Sequence, residues 1–173
     1  MGKMKIPPKK VGSSDDFYTP NNAIKHILPY LNKEWKIWEC CSGTGNIVKF
    51  LKENGINIFG TDIRDGEDFL TSNREDFDCI ITNPPFSLKD KFLKRCFEYE
   101  KPFAMLLPLT ALEGKFRQSL YKKYGVQVIL FNKRVNYQGH QNKNSCWFAS
   151  AWFCYKMNLP NQLNFVELDS PKP

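Results

Sequence analysis

The run Lys36-Ile37-Trp38-Glu39-Cys40-Cys41-Ser42-Gly43-Thr44-Gly45 decides the fold. Residues 36–41 have the apolar content and length of a buried strand, and the glycine-bearing remainder is a turn. Ile47, Val48, Phe50 and Leu51 follow at helical spacing, and Gly55 closes that helix. Ile58-Phe59-Gly60-Thr61-Asp62 is a second strand ending in a carboxylate. Strand, glycine turn, helix, strand and acid, in this order, make a right-handed βαβ unit.

Downstream, Asp78-Cys79-Ile80-Ile81-Thr82-Asn83-Pro84-Pro85-Phe86 is a β-branched, apolar strand that stops at two prolines. Neither proline has an N–H to donate, so the ladder ends there. The strand delivers Asn83 and Phe86 to its carboxyl end, the edge at which open α/β sheets bind ligands. Only residues 63–77 separate it from Asp62, which leaves room for a very short strand.

The remaining segments extend the same architecture. Thr19 is placed to N-cap a helix with Pro20 in its first turn. Ala23, Ile24, Ile27, Leu28 and Leu31 give that helix an apolar face to about Leu31. Helices are expected over 88–99 and 114–124, and strands over Pro102–Pro108 and Val126–Phe131. A polar loop leads to a last strand, Cys146–Tyr155, which pairs with Val126–Phe131 as an antiparallel hairpin. The fold class is α/β: a mostly parallel, seven-stranded sheet between helices, with a C-terminal antiparallel hairpin. Residues 1–14 read as a flexible basic tail, 15–156 as one catalytic domain and 157–173 as a polar C-terminal tail. No segment remains for a separate recognition domain.

Composition narrows the function classes. The net charge of +7 favours a polyanionic partner such as nucleic acid. No apolar run approaches the roughly 20 residues that cross a bilayer, and the start of the chain lacks a signal-peptide core, so a cytoplasmic protein without a membrane partner is expected. Six cysteines show no CxxC pair and no metal-ligand spacing, as fits reduced core thiols and no metal site.

A Gly-x-Gly turn followed by an acid accommodates several nucleotides. A dinucleotide site would want a third glycine where Val48 stands. Asp62 can accept two hydroxyls of a ribose. Glu39 is unfavourable beside a pyrophosphate and favourable beside a cation, which points away from NAD and toward a positively charged nucleoside such as S-adenosylmethionine.

Taken together, the motifs resemble class I S-adenosylmethionine-dependent methyltransferases, most closely the small phage-type enzymes that methylate N6 of adenine in DNA. The resemblance covers about residues 15–155. It rests on Asp16-Phe17-Tyr18-Thr19-Pro20, Glu39 to Gly45, Asp62, Asp68-Phe69, Asn83-Pro84-Pro85-Phe86, Arg134-Val135-Asn136-Tyr137 and Phe148-Ala149-Ser150. It implies a Rossmann-like sandwich with S-adenosylmethionine as cofactor. Tyr18, Thr19 and Pro20 would border the methionine end of the cofactor. Glu39 would receive its amino group beside the Gly43–Gly45 backbone, and Asp62 would take the ribose hydroxyls. Ile63 would cover the adenine face, and Asp68 would bind its amine with Phe69 packed nearby. Without the resemblance, Asp68-Phe69 reads as a turn acid and a core aromatic.

The resemblance makes Asn83, Pro84, Pro85 and Phe86 the catalytic turn, with Asn83 also against the cofactor. The Asn83 side-chain oxygen and the Pro84 carbonyl would accept the target amine's N–H bonds, Pro85 would stiffen the turn and Phe86 would stack on the flipped base. Arg134 and Tyr137 would complete the substrate site, Tyr137 on the other face of the base. The implied substrate is double-stranded DNA, and the same turn would serve adenine in RNA. Larger relatives append a module that reads flanking bases. Here loops, or a partner subunit, would have to do so, with lysines and arginines such as Lys89, Lys94 and Lys133 holding phosphates. A non-catalytic nucleic-acid-binding subunit is the alternative; such subunits usually lose one of the two turns, and both are intact here.

Overall fold

The computed structural model describes residues 18–137 and 148–169. The expected tail at 1–14 and most of the loop before the last strand therefore lie outside the described residues. Seven strands form one sheet: β1 (Ile37–Glu39), β2 (Ile58–Gly60), β3 (Cys79–Thr82), β4 (Phe103–Pro108), β5 (Gln127–Phe131), β6 (Ser150–Tyr155) and β7 (Leu163–Val166). Their order is β2-β1-β3-β4-β6-β5-β7. β1 runs parallel to both β2 and β3, and β3 runs parallel to β4. β6 is antiparallel to β4 and β5, so the expected hairpin forms with β6 inserted between its neighbours.

Burial on both faces explains why the central strands β1, β3, β4 and β6 are largely apolar. Successive side chains point to opposite sides, and the core divides accordingly. Ile37, Ile81, Leu106, Trp152 and Cys154 face one layer. Trp38, Ile80, Met105, Leu107 and Phe153 face the other. The first layer is covered by α1 (Asn21–Ile24), a 3₁₀ turn (Lys25–Tyr30) and α2 (Asn46–Glu53). The second is covered by α3 (Lys89–Glu98), whose Phe92, Leu93, Cys96 and Phe97 are buried, with α4 (Lys115–Tyr124) alongside. Five cysteines among the described residues are free thiols, and all but Cys41 are buried.

Four expectations are corrected. The first helix is α-helical only over Asn21–Ile24 and tightens to 3₁₀ across Pro29, which has no N–H for a helical bond. Pro20 occupies its N-cap position and no side chain caps it, so Thr19 is not the cap. No strand forms between Asp62 and Asp78; a 3₁₀ turn (Ile63–Asp65) and a loop take its place. Arg74 ties that loop together, donating to both Glu67 oxygens at 2.8 and 3.0 Å and to Asp76 at 2.9 Å. The segment after residue 156 is not simply a tail. Leu163–Val166 pairs parallel with β5, in register from Val128↔Leu163 to Phe131↔Val166, and completes the seven strands.

Candidate active site

The carboxyl ends of β1, β2 and β3 open into a cleft of about 740 Å³, its open mouth included. Tyr18, Thr19, Glu39, Gly43, Asp62 and Asn83 line it, together with Ile63 and Pro85. The sheet thus brings residues distant in sequence to one concavity because their strands are neighbours.

Glu39 forms the floor. It ends β1 with 1% exposure, and its Oε1 accepts from the Cys41 backbone N–H at 2.9 Å and from the Thr82 hydroxyl at 2.5 Å. Burial pushes its carboxyl up to about 8, against those two hydrogen bonds, which favour the charged form. A buried acid so placed gains most from a cationic partner. Thr82 was invisible as a site residue in the sequence, where it reads as one more β-branched strand former.

The glycine turn wraps the acid at the end of β2. Gly43 and Gly45 both have positive φ, +52° and +84°, and Gly45 starts α2. The Gly43 N–H donates to Asp62 Oδ2 at 2.9 Å. Asp62 Oδ1 accepts from the Arg64 backbone N–H at 3.1 Å and from Arg64 Nε at 2.8 Å. Burial works to raise the Asp62 carboxyl, but the hydrogen bonds from Arg64 and Gly43 outweigh it and hold the group below its ordinary value. Gly60 makes this close packing possible, since a Cβ there would lie 2.8 Å from Ser42 Cβ and 2.9 Å from Val48 Cγ2. Ile63, 67% exposed, lies at the mouth beside Asp62. Neither Arg64 nor Gly60 was singled out in the sequence. The two-residue spacing Asp62-Ile63-Arg64 was the available signal for Arg64.

The Asn83 turn forms the far wall. Asn83 Nδ2 donates to the Thr19 hydroxyl at 3.0 Å, joining the Asn83 turn to the segment before α1. Pro84 is buried and Pro85 lines the cleft. Phe86 leads into a 3₁₀ turn (Phe86–Leu88), where its ring meets Phe148 edge-on at 5.3 Å and Tyr137 edge-on at 6.4 Å. Tyr137 is 4% exposed and donates to Ser150 Oγ at 2.7 Å. Phe86, Tyr137 and Phe148 therefore form one aromatic group beside Asn83, while Arg134 is exposed at the surface.

Four expected cofactor residues, Pro20, Gly45, Asp68 and Phe69, are not among those lining the cleft. Asp68 accepts from the Leu70 N–H at 2.9 Å and borders a separate depression with Glu67 and Arg74. Phe69 is 2% exposed and packs against Trp38 and Phe92 in the core. Pro20 starts α1 behind Thr19 and likewise stays outside the lining.

No family model matches the sequence, and no curated protein does. Solved structures do match it in fold. The methyltransferase subunit of a type I restriction-modification system from Streptococcus thermophilus aligns at a TM-score of 0.60 and 15% identity, over 88% of this chain and 47% of its own. The M protein of the type I restriction enzyme EcoKI aligns at 0.61 and 12% identity, over 90% and 49%. A TehB-like S-adenosylmethionine-dependent methyltransferase from Corynebacterium glutamicum aligns at 0.50 and 14%, over 81% and 88%. The fold is that of the class I S-adenosylmethionine-dependent methyltransferases. This chain spans about half the length of the two restriction subunits.

Proposed function

We propose that this chain transfers a methyl group from S-adenosylmethionine to the N6 amine of adenine in DNA. The observation that carries the reading is that Asn83 and Pro85 line the same cleft as Glu39, Gly43 and Asp62. An amine-binding turn and a nucleoside-binding turn then share one space.

The residues fit this cofactor. Glu39 offers a buried acid to an amino group, Asp62 offers acceptors to a ribose, and the positive-φ glycine turn admits a ligand close to the backbone. Thr82 fixes Glu39, and Tyr18 and Thr19 close the methionine side. Asp68 and Phe69 keep their proposed adenine-side role only if the loop carrying them adjusts toward Ile63. The cofactor's sulfonium supplies an activated methyl group.

The chain's own residues would then do the positioning. Asn83 Oδ1 and the Pro84 carbonyl accept the two N–H bonds of the target amine and draw its nitrogen toward tetrahedral geometry. This directs the lone pair into the cofactor side of the cleft, so orientation supplies most of the rate. Pro85 holds the turn rigid, and Phe86 stacks on a base taken out of the duplex, with Tyr137 opposite and Arg134 near the backbone. Exposed lysines would bind phosphates without reading sequence. Recognition of flanking bases falls to loops or to a partner subunit.

The test is methyl-labelled S-adenosylmethionine with duplex DNA, single-stranded DNA or RNA of the same sequence. Labelled N6-methyladenine, formed most rapidly in duplex DNA, is expected. Label only in RNA would move the substrate to that polymer, and no label in any would remove the reading.

A further inference from the structure

We propose that the Arg64 side chain competes with the cofactor's ribose for the Asp62 carboxylate and must swing off it for the cofactor to bind. The inference rests on the placement of the ribose at Asp62 in the reading above. An ionised carboxylate has about four acceptor sites, two on each oxygen. Asp62 fills them from within the chain. Its Oδ1 accepts from the Arg64 backbone N–H at 3.1 Å and from Arg64 Nε at 2.8 Å. Its Oδ2 accepts from the Gly43 N–H at 2.9 Å and from Arg64 Nη2 at 3.4 Å. A ribose with two hydroxyls to donate finds no acceptor open.

Only part of this set has to move. Two of the donors are backbone N–H groups and keep their places. Gly43 belongs to the positive-φ turn, and the N–H groups of Asp65 and Gly66 close the 3₁₀ turn onto the Asp62 and Ile63 carbonyls at 3.0 and 3.1 Å. The other two donors belong to one guanidinium. When it swings away, one acceptor site opens on each oxygen, as many as a pair of adjacent ribose hydroxyls needs. The guanidinium also covers the glycine turn, since a Cβ added at Gly43 would lie 3.6 Å from Arg64 Nη2. The Arg64 side chain is 52% exposed against 11% for Asp62, so the partner that leaves is the one next to water. An ion pair with so exposed a member is weak enough for a ligand to displace. Each molecule in which Arg64 stays on Asp62 is closed to the ribose, and the cofactor's apparent affinity falls accordingly.

Calorimetric affinities of the full-length wild type, Arg64→Met and Asp62→Asn test this, with S-adenosylmethionine, adenosine and 2′,3′-dideoxyadenosine as ligands. Methionine keeps an unbranched stem and donates nothing. Arg64→Met should bind S-adenosylmethionine and adenosine about three- to tenfold more tightly than wild type, the scale of one partly exposed ion pair. It should gain nothing for dideoxyadenosine, which lacks both hydroxyls that the carboxylate would accept. Losing a cation would by itself favour a cationic cofactor, and the two neutral nucleosides exclude that contribution. Asp62→Asn should bind both hydroxyl-bearing ligands about tenfold or more weakly, as for a lost hydrogen bond to a charged group. In the wild type, the Arg64 Nε–H resonance should shift and exchange faster with solvent when S-adenosylmethionine is added. Arg64→Ala replaces the methionine variant if the latter does not fold.

Equal or weaker binding of adenosine by Arg64→Met, with Asp62→Asn impaired, would overturn the proposal and make Arg64 a support for Asp62 or a cofactor contact. An equal gain for adenosine and dideoxyadenosine would overturn it too, since that gain would not come from the carboxylate. Unimpaired binding of S-adenosylmethionine by Asp62→Asn, or binding by none of the proteins, would instead remove the ribose placement, and the proposal with it. Methyl transfer enters none of these readouts, so they stand apart from which base or polymer is the target.

Discussion

The two walls of the cleft are built differently. The β1–β2 wall is polar and tightly bonded: Glu39 Oε1 has two donors, and Asp62 is held by Gly43 and Arg64. The β3 wall is an amide on a proline turn beside three aromatic rings, with the bond to Thr19 tying it to the rest of the site. A polar network with fixed donors suits a ligand of constant shape. An amide beside an aromatic group suits a base that enters, stacks and leaves. Under the proposed function, the difference matches cofactor to one wall and substrate to the other.

Substitutions can break this division. Asn83→Ala should have the largest effect, slowing methyl transfer by about 10²- to 10³-fold, as for loss of one transition-state hydrogen bond, while the protein is still stabilised thermally by S-adenosylmethionine. Phe86→Ala should weaken nucleic-acid binding by about tenfold or more, the scale of one lost base–aromatic stack, again sparing the cofactor. Loss of cofactor affinity in either variant would erase the distinction between the walls.

On the polar wall the expected signature is pH dependence. Under the proposed function a cationic amine binds the ionised form of Glu39, whose carboxyl burial pushes up to about 8. Cofactor affinity should therefore rise by about tenfold per pH unit below 8, with proton release visible by calorimetry in buffers of different ionisation enthalpy. Glu39→Gln should flatten that profile. The stability of the ligand-free protein runs the other way. Folded Glu39 holds an extra proton between about 4.5 and 8, so its own contribution to stability is greatest below that window and falls as pH rises through it. Gly60→Ala should have the smallest effect, lowering stability by about 1–3 kcal/mol through overpacking against Ser42 and Val48, measurable by denaturant unfolding.

Much of the fold was legible because its strands are buried on both faces and its turns carry Gly, Pro and acids. β7 was not, for a physical reason. Its alternation is inverted: Asn164 points inward and bonds to the Val128 and Asn161 carbonyls, while Phe165 is 78% exposed. A reading that puts apolar residues inside finds no strand there. The segment after Asp62 misled in the other direction, since the Arg74–Glu67–Asp76 network stabilises a loop where a short strand had room to form.

In the site, the residues carried by local patterns were legible: Glu39, the glycine turn, Asp62 and Asn83. The contacts that join the walls were not. Thr82 reaches Glu39 only because β1 and β3 are adjacent, and Thr19 meets Asn83 across 64 residues of sequence. Such pairs depend on topology and leave no spacing to read.

The central claim is that both walls serve one reaction at one atom. Its most direct test is a single turnover of the protein preloaded with methyl-labelled S-adenosylmethionine on duplex DNA, followed by digestion to nucleosides and mass spectrometry. Label in N6-methyladenine, lost in Asn83→Ala while the cofactor still binds, is the predicted result. Label on another base, or undiminished N6-methyladenine from Asn83→Ala, would contradict it.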